Sequence, residues 1–520
     1  MSVDSTYATG ADTSVRTLVG EFAGAPPASL QAAYRRLVAA VWEDGRPTEL
    51  APQAVGELMP YLDLVGDDRV GRLLVLLGLL AEGDDRVRAA VRQGLDRYLD
   101  LLNRADPRGP RGQALLYLLA HFPEDRDRIL AEVAPLGLEE DDLSRLDRCL
   151  RTLDLDDPDV GRVWPAPSIW RLTDEERDFD RAWIRTLSPE QVAVNWRNDT
   201  RTVWGYMGAK AYWAVCEGMP VTVGDPAFSA EPAAGSGDTP AGSGAGLFGA
   251  HAAALRCPSC RGPLNFRPDG VGCGGCAVTY PVTRGILDLT EGTSDAAGAA
   301  DQATADLLRK LAEMPSMGLY YEALLRPEFL RVAGTNWGGA VTPADEDDYI
   351  ARHVRPVDGP VLDLAAGAGR WTSVIADTVG AERLIALDMG LPMLSVLRRR
   401  LPEIPAVRAS ALSLPFDDES LGAVVCWNAL QAFPDDAAAA VAEIGRCLRP
   451  GGTFTMMTYV WDSDPVNRHF QASHYFPSRP AGMLLFEADE IRRWLADAKM
   501  IVREQSGPGT FLFVTAERVG

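Results

Sequence analysis

Apolar residues fall in two different rhythms along the chain, and the change of rhythm divides it. Through the first 155 residues they recur at helical spacing. Leu30, Ala33, Tyr34, Leu37 and Val38 lie on one face of a predicted helix, and Val70 to Leu80 is apolar on most sides, as in a buried helix. Gln113 to His121, the acidic break Phe122-Pro123-Glu124-Asp125, and Arg128-Ile129-Leu130 predict helix, break and helix. Pro226 to Gly249 is rich in Ala, Gly, Ser and Pro without periodicity and reads as a linker; Glu291 to Gly298 is a shorter break. From Gly359 short apolar runs alternate with amphipathic ones, which predicts a parallel α/β sheet. The predicted strands are Pro360 to Leu364, Arg383 to Leu387, Ala423 to Leu430, Thr453 to Val460 and Phe511 to Val514, with helices over Ala437 to Cys447 and Phe486 to Ala498.

The expected organisation is therefore multidomain: an all-α region over 1–160, a Trp-rich extension over 161–225, a linker over 226–250, a cysteine-bearing module over 251–292 and an α/β domain over 301–520. A length of 520 residues suits three to four folded units at roughly 150 residues each. Helix pairs with no strict repeat make the first region an irregular bundle or an α-solenoid; Leu115 to Pro123 resembles a HEAT-type repeat. Six of the twelve tryptophans (Trp164, Trp170, Trp183, Trp196, Trp204 and Trp213) fall within fifty residues, a density that suits packing or a peptide surface. Fifty-one Lys+Arg against 73 Asp+Glu give a net charge of −22, whose long-range field repels phosphate backbones and anionic membranes. Met1 to Gly20 lacks an export pattern, and Val70 to Leu80 is shorter than the ~20 residues of a membrane span. A cytoplasmic protein, without membrane or nucleic-acid partner, is expected.

Four of the eight cysteines cluster. Cys257-Pro258-Ser259-Cys260 and Cys273-Gly274-Gly275-Cys276 form two Cys-x-x-Cys knuckles separated by twelve residues. Four thiolates so spaced can converge tetrahedrally on one Zn²⁺ at about 2.3 Å per bond, leaving no position for water. A module of this size buries too little apolar surface to fold alone, so a structural zinc ribbon is expected rather than a redox dithiol. Tyr280 to Leu289, which follows, alternates like one strand.

In the α/β domain, strand Pro360 to Leu364 runs into Ala365-Ala366-Gly367-Ala368-Gly369-Arg370-Trp371, a turn of small residues that lets a ligand approach the backbone. The second strand ends in Asp388, 21 residues after Gly367, placed to accept from two ribose hydroxyls. A dinucleotide fingerprint would need glycine at 372, where Thr372 stands. The remaining Asp-x-Ala-x-Gly-x-Gly pattern, Leu414-Pro415-Phe416, and Leu448-Arg449-Pro450-Gly451-Gly452 before the fifth strand resemble class I S-adenosylmethionine-dependent methyltransferases over roughly Asp301 to Gly520. The resemblance implies a Rossmann-like fold with S-adenosylmethionine as cofactor. Asp363, Ala365, Gly367 and Gly369 would line its methionine end, Asp388 would hold the ribose and Met389 the adenine. Ser410 and Ala411 would flank the adenine edge, with Asn428 and Ala429 below the methyl group. Ala365 departs from the usual glycine, and Ser410 from the common acid.

The acceptor is less legible. Asn428-Ala429-Leu430-Gln431 differs from the Asn/Asp-Pro-Pro-aromatic loop of exocyclic-amine methyltransferases, and Cys426 has no adjacent proline as an RNA 5-methylcytosine nucleophile would. The insert Trp461 to Pro480 is expected to cover the acceptor pocket, with His469 and His474 as candidate bases beside Tyr475 and Phe476. Tyr320-Tyr321 could close the cofactor site. A zinc ribbon beside a methyltransferase also resembles ribosomal-RNA guanine methyltransferases, yet residues 256–288 carry a net charge of only +2. The favoured reading is methylation of a natural product, peptide or carrier-bound intermediate held with help from the N-terminal helices. An RNA base methyltransferase and a non-catalytic scaffold are the alternatives.

Overall fold

The computed structural model describes residues 14–158, 174–221, 223, 244–267, 270–290, 322, 325–475 and 481–520. Trp164, Trp170, Tyr320, Tyr321, Phe476, residues 226–243 of the linker and the break from 291 to 298 lie outside the described residues. The chain forms two compact units. One comprises Met1–Leu172, Pro189–Gly224 and Asp464–His474; the other comprises Thr173–Ser188, Asp225–Ser463 and Tyr475–Gly520. Among the described residues, no helix is long and apolar enough to cross a membrane.

The first unit is helical. Helices α1 (Val15–Gly24), α2 (Leu30–Val41), α3 (Ala51–Leu58), α4 (Asp67–Gly83), α5 (Asp85–Arg92), α6 (Leu95–Asn103), α7 (Pro110–Leu119), α8 (Arg126–Val133) and α9 (Glu140–Leu150) follow one another. A short antiparallel pair, β1 (Trp42–Glu43) and β2 (Arg46–Pro47), interrupts them. After α10 (Asp174–Ile184) in the other unit, α11 (Pro189–Glu217) runs back through the core of the first. As the sequence predicts, α4 is buried from Val70 to Ala81, and it packs on α7 and α11. Gly78 makes the approach to α7 possible, since a Cβ there would lie 2.3 Å from the Tyr117 ring. This interior is also charged: Lys210 pairs with Asp142 at 2.5 Å and Arg148 with Asp199 at 2.6 Å, all four buried. Each of these four charges has an opposite partner, which offsets the cost of burying it.

A nine-stranded sheet organises the second unit. In chain order, β3 (Leu264–Arg267), β4 (Gly270–Cys273) and β5 (Thr279–Tyr280) form a small antiparallel sheet of their own. Strands β6 (Val282–Thr283), β7 (Ile286–Asp288), β8 (Val361–Leu364), β9 (Leu384–Asp388), β10 (Ala406–Arg408), β11 (Leu421–Trp427), β12 (Leu448–Tyr459), β13 (Met500–Ser506) and β14 (Phe511–Arg518) form the large one. Its order is β13-β14-β12-β11-β8-β9-β10-β7-β6. Pairing is parallel from β7 through β10, β9, β8 and β11 to β12, while β14 is antiparallel to its neighbours. Successive residues feed opposite faces: Leu362, Leu364, Ile385 and Leu387 join one apolar layer, and Val361, Leu384 and Ala386 the other. Chain order reverses between β8 and β11, which opens a crevice at the carboxyl ends of these strands.

The region from Tyr280 to Leu289 is a hairpin rather than the single expected strand. Arg284 and Gly285 both take left-handed φ (52° and 77°), which turns the chain between β6 and β7. Strand β7 then pairs with β10, so the cysteine-bearing module contributes two strands to the large sheet. Strands β10 and β13 were also not foreseen.

Candidate functional site

A cavity of about 720 Å³ opens at the crevice. Its floor is the turn after β8. Ala365, Gly367 and Gly369 all adopt left-handed φ (59°, 56° and 91°), so the backbone doubles back before the helix Arg370–Val379 begins. Gly367 faces open space, with nothing within 4 Å of where a Cβ would be, and its amide donates to Asp388 Oδ2 at 2.9 Å. The Gly390 amide donates to Asp388 Oδ1 at 2.7 Å. These bonds orient the Asp388 carboxylate at the end of β9, where it lines the cavity. Burial raises its pKa, and the amides of Gly390, Gly367 and Met389 oppose that rise.

Of the expected cofactor residues, Ala365, Gly367, Asp388, Met389, Ser410, Ala411 and Asn428 line the cavity. Asp363 and Gly369 do not. Asp363 lies beneath the turn, buried, and accepts from Thr372 Oγ1 at 2.6 Å, tying β8 to the following helix. Burial pushes its pKa up to about 7, with the Asp388 charge adding to the rise and the Thr372 bond opposing it. Gly369 serves packing, since a Cβ there would lie 3.0 Å from Leu397 Cγ. Ser410 turns its hydroxyl to its own loop, accepting from the Leu412 amide at 3.2 Å. Met389 and Leu412, 38% and 37% exposed, are apolar cavity residues left partly open.

Asn428 leaves β11 with φ 55°, and Gln431 Nε2 donates to its carbonyl and to Oδ1 at 2.8 and 2.7 Å. Beyond it the wall is aromatic: Trp371, Trp427 and Phe433. Trp427 Nε1 donates to Glu346 at 2.8 Å, Arg326 pairs with the same carboxylate, and the Arg326 guanidinium lies 4.5 Å over the Trp371 ring. Asp436 stands at this end as well. It precedes the helix Ala437–Cys447 without accepting a capping bond, and it lines the cavity half-buried. Trp371, Trp427, Phe433 and Asp436 were missed from sequence. They come from two stretches far apart in sequence, 371 and 427–436, and only the alternation of helix and strand hinted that these meet.

His469 and His474, expected over the acceptor, are placed instead in the first unit and do not line the cavity. The segment Asp464–His474 leaves the α/β region and forms the helix Pro465–Ala472, capped by Asp464. His469 Nε2 lies 3.0 Å from Glu82 Oε2 on α4, and its ring meets Trp42 edge-on. Burial favours protonation of Glu82 but is outweighed by bonds from His121 and His469, so its pKa is depressed. His474 is buried, and burial with the Arg145 charge pushes its pKa down to about 3.

The cysteine quartet converges. The ligand atoms of Cys257, Cys260, Cys273 and Cys276 all lie within 4.8 Å of one another; Cys257 and Cys276 are 3.7 Å apart, Cys260 and Cys273 3.3 Å. Tetrahedral coordination at 2.3 Å per bond requires sulfurs about 3.8 Å apart, so the set fits a zinc ion. At Cys257, burial resists ionisation and is outweighed by the Tyr280 hydroxyl and the backbone amides of Cys260 and Ser259, which hold the thiol down to about 6.

Residues 361–452 match the family model described as a methyltransferase domain. The chain carries a methyltransferase domain. It is 28% identical over 230 residues to an uncharacterized chloroplastic methyltransferase of Arabidopsis thaliana, covering 40% of this chain and 62% of that protein. It is 37% identical over 143 residues to the demethylmenaquinone methyltransferase of Renibacterium salmoninarum, covering 26% of this chain and 59% of that protein. The chain thus spans less than two thirds of these relatives. Among solved structures, geranyl diphosphate C-methyltransferase from Streptomyces coelicolor A3(2) aligns at 15% identity and a TM-score of 0.28, over 34% of this chain and 76% of that one. The matched residues of the methyltransferase domain contain the β8 turn, Asp388 and Asn428.

Proposed function

We propose that the protein is an S-adenosylmethionine-dependent methyltransferase acting on a natural product, a peptide or a carrier-bound biosynthetic intermediate. The observation that carries the cofactor assignment is Asp388, oriented by the Gly367 and Gly390 amides at the cavity floor. Its carboxylate would accept from the ribose hydroxyls, and the open backbone at Gly367 would pass the methionine end. Met389 and Leu412 would cover the adenine faces. S-adenosylmethionine supplies a sulfonium-bound methyl group open to in-line displacement.

The residues beyond Asn428 would hold the acceptor. Trp371, Trp427 and Phe433 favour a flat or apolar group, and the fixed Trp427 indole makes the wall rigid. Asp436 would take the proton released by a hydroxyl, phenol or ammonium acceptor. The quartet would hold a structural zinc, with all four positions filled by sulfur. Acidity over the whole chain favours a biosynthetic substrate over RNA.

The test is transfer of label from S-adenosylmethionine to total RNA, peptide and small-molecule fractions of the source cells. Label entering the peptide or small-molecule fraction supports the proposal. Label entering RNA, or none entering any fraction, contradicts it.

A further inference from the structure

Three parallel strands end side by side next to the stretch of cavity wall that carries Asp388, Met389 and Ala409. The register pairs Arg408 of β10 with Asp388 of β9 on one side and with Asp288 of β7 on the other. Adjacent strands lie roughly 4.8 Å apart, so an arginine at the middle position can reach either carboxylate. Here it takes Asp288: Arg408 Nη1 lies 3.1 Å from Asp288 Oδ2, and Arg408 Nε donates to the Met389 carbonyl at 3.0 Å. Asp288 is itself fixed, since its Oδ1 accepts from the Thr290 amide at 3.0 Å and the Thr290 hydroxyl at 2.6 Å. Burial works against its charge and is outweighed by the Thr290 bonds and by Arg408, so its pKa is lowered.

The strand bearing Asp288 belongs to the cysteine module, which also grips the next stretch of cavity wall. Arg261, beside the first knuckle, donates from Nη1 to the Leu414 carbonyl at 2.8 Å. The Arg256 amide donates to the Pro415 carbonyl at 2.9 Å, and the Asp417 amide to the Ala254 carbonyl at 2.9 Å. Residues 409–413, immediately before this contact, line the cavity.

We propose that Asp288 is a positioning residue for the cofactor: it draws Arg408 off Asp388 and onto the Met389 carbonyl, leaving the Asp388 carboxylate to the ribose. This rests on the reading of the cavity as the S-adenosylmethionine site. Without Asp288, Arg408 turns to Asp388, competes with the ribose hydroxyls and releases Met389.

Calorimetric titration with S-adenosylhomocysteine tests this on the full chain. Asp288→Asn should weaken binding about tenfold, and Asp288→Glu, which keeps the charge, should restore most of it. In an Arg408→Gln background, Asp288→Asn should change affinity less than twofold, because the competitor is gone. A merely structural Asp288 predicts the opposite pattern, a lowered melting temperature with the same affinity loss in both backgrounds, and that result overturns the proposal. So does an affinity within twofold of wild type in Asp288→Asn. Absence of binding by the wild type overturns the cofactor reading itself, and the proposal with it.

Discussion

Asp363 and Asp388 are two carboxylates at neighbouring strand ends with different work. Asp388 faces the cavity and is held by backbone amides, whereas Asp363 is buried under one hydroxyl. A carboxyl whose native pKa is raised to about 7 binds its proton more tightly folded than unfolded. Its stabilisation is therefore full below the ordinary carboxylate range and is lost as pH rises through about 7. The slope is at most ~1.4 kcal/mol per pH unit. Asp363→Asn keeps an acceptor for Thr372 and removes the titration. Melting curves of the ligand-free protein from pH 4.5 to 7.5 should show the variant gaining on wild type as pH rises; a constant difference would contradict the assignment. At the acceptor end, Asp436→Asn should lower kcat by about 100-fold or more while leaving S-adenosylhomocysteine affinity unchanged, if this carboxylate takes the acceptor's proton. An unchanged kcat would remove it from that role. Asp388 and Gly367 were readable in sequence because the turn's small residues and the 21-residue spacing both report backbone geometry. Asp363 and Gly369 belong to the same motif yet serve packing, a distinction that only Thr372 and Leu397 reveal.

At the scale of elements, the hairpin β6–β7 and the helix Pro465–Ala472 mark where local pattern stops informing. Alternation from Tyr280 to Leu289 reads as one strand because the left-handed turn falls on Arg284, a residue without a turn preference, just before Gly285. The helix Pro465–Ala472 follows β12 in sequence, so its histidines looked available to the acceptor. Its contacts lie with α4, α7 and α11: Glu82 meets His469, Tyr117 stacks edge-on against Phe470, and Gly208 leaves room for the Phe470 ring. No periodicity announces a partner hundreds of residues upstream. The knuckles were legible for the opposite reason, since four ligands and their spacing lie in one short segment. Cys273→Ser should leave less than one zinc per chain and lower the melting temperature by about 5 °C or more. Full metal content with unchanged melting would contradict a structural zinc.

For the whole molecule, the chain divides into a helical unit whose interior holds the ion pairs Lys210–Asp142 and Arg148–Asp199 and a unit in which cysteine module and methyltransferase sheet are continuous through β7 and β10. The net charge of −22 opposes phosphate-bearing partners, and the arginine in the cavity lining, Arg370 beside the aromatic wall, is paired with Asp347. Cofactor binding is the claim on which the proposed activity, the acceptor assignment and the role of Asp288 all depend. Titration of S-adenosylhomocysteine into the wild type and Asp388→Ala tests it most directly. The account predicts one site of micromolar affinity in the wild type, weakened at least 100-fold in the variant with the fold intact. No binding by the wild type, or equal binding by the variant, would contradict it.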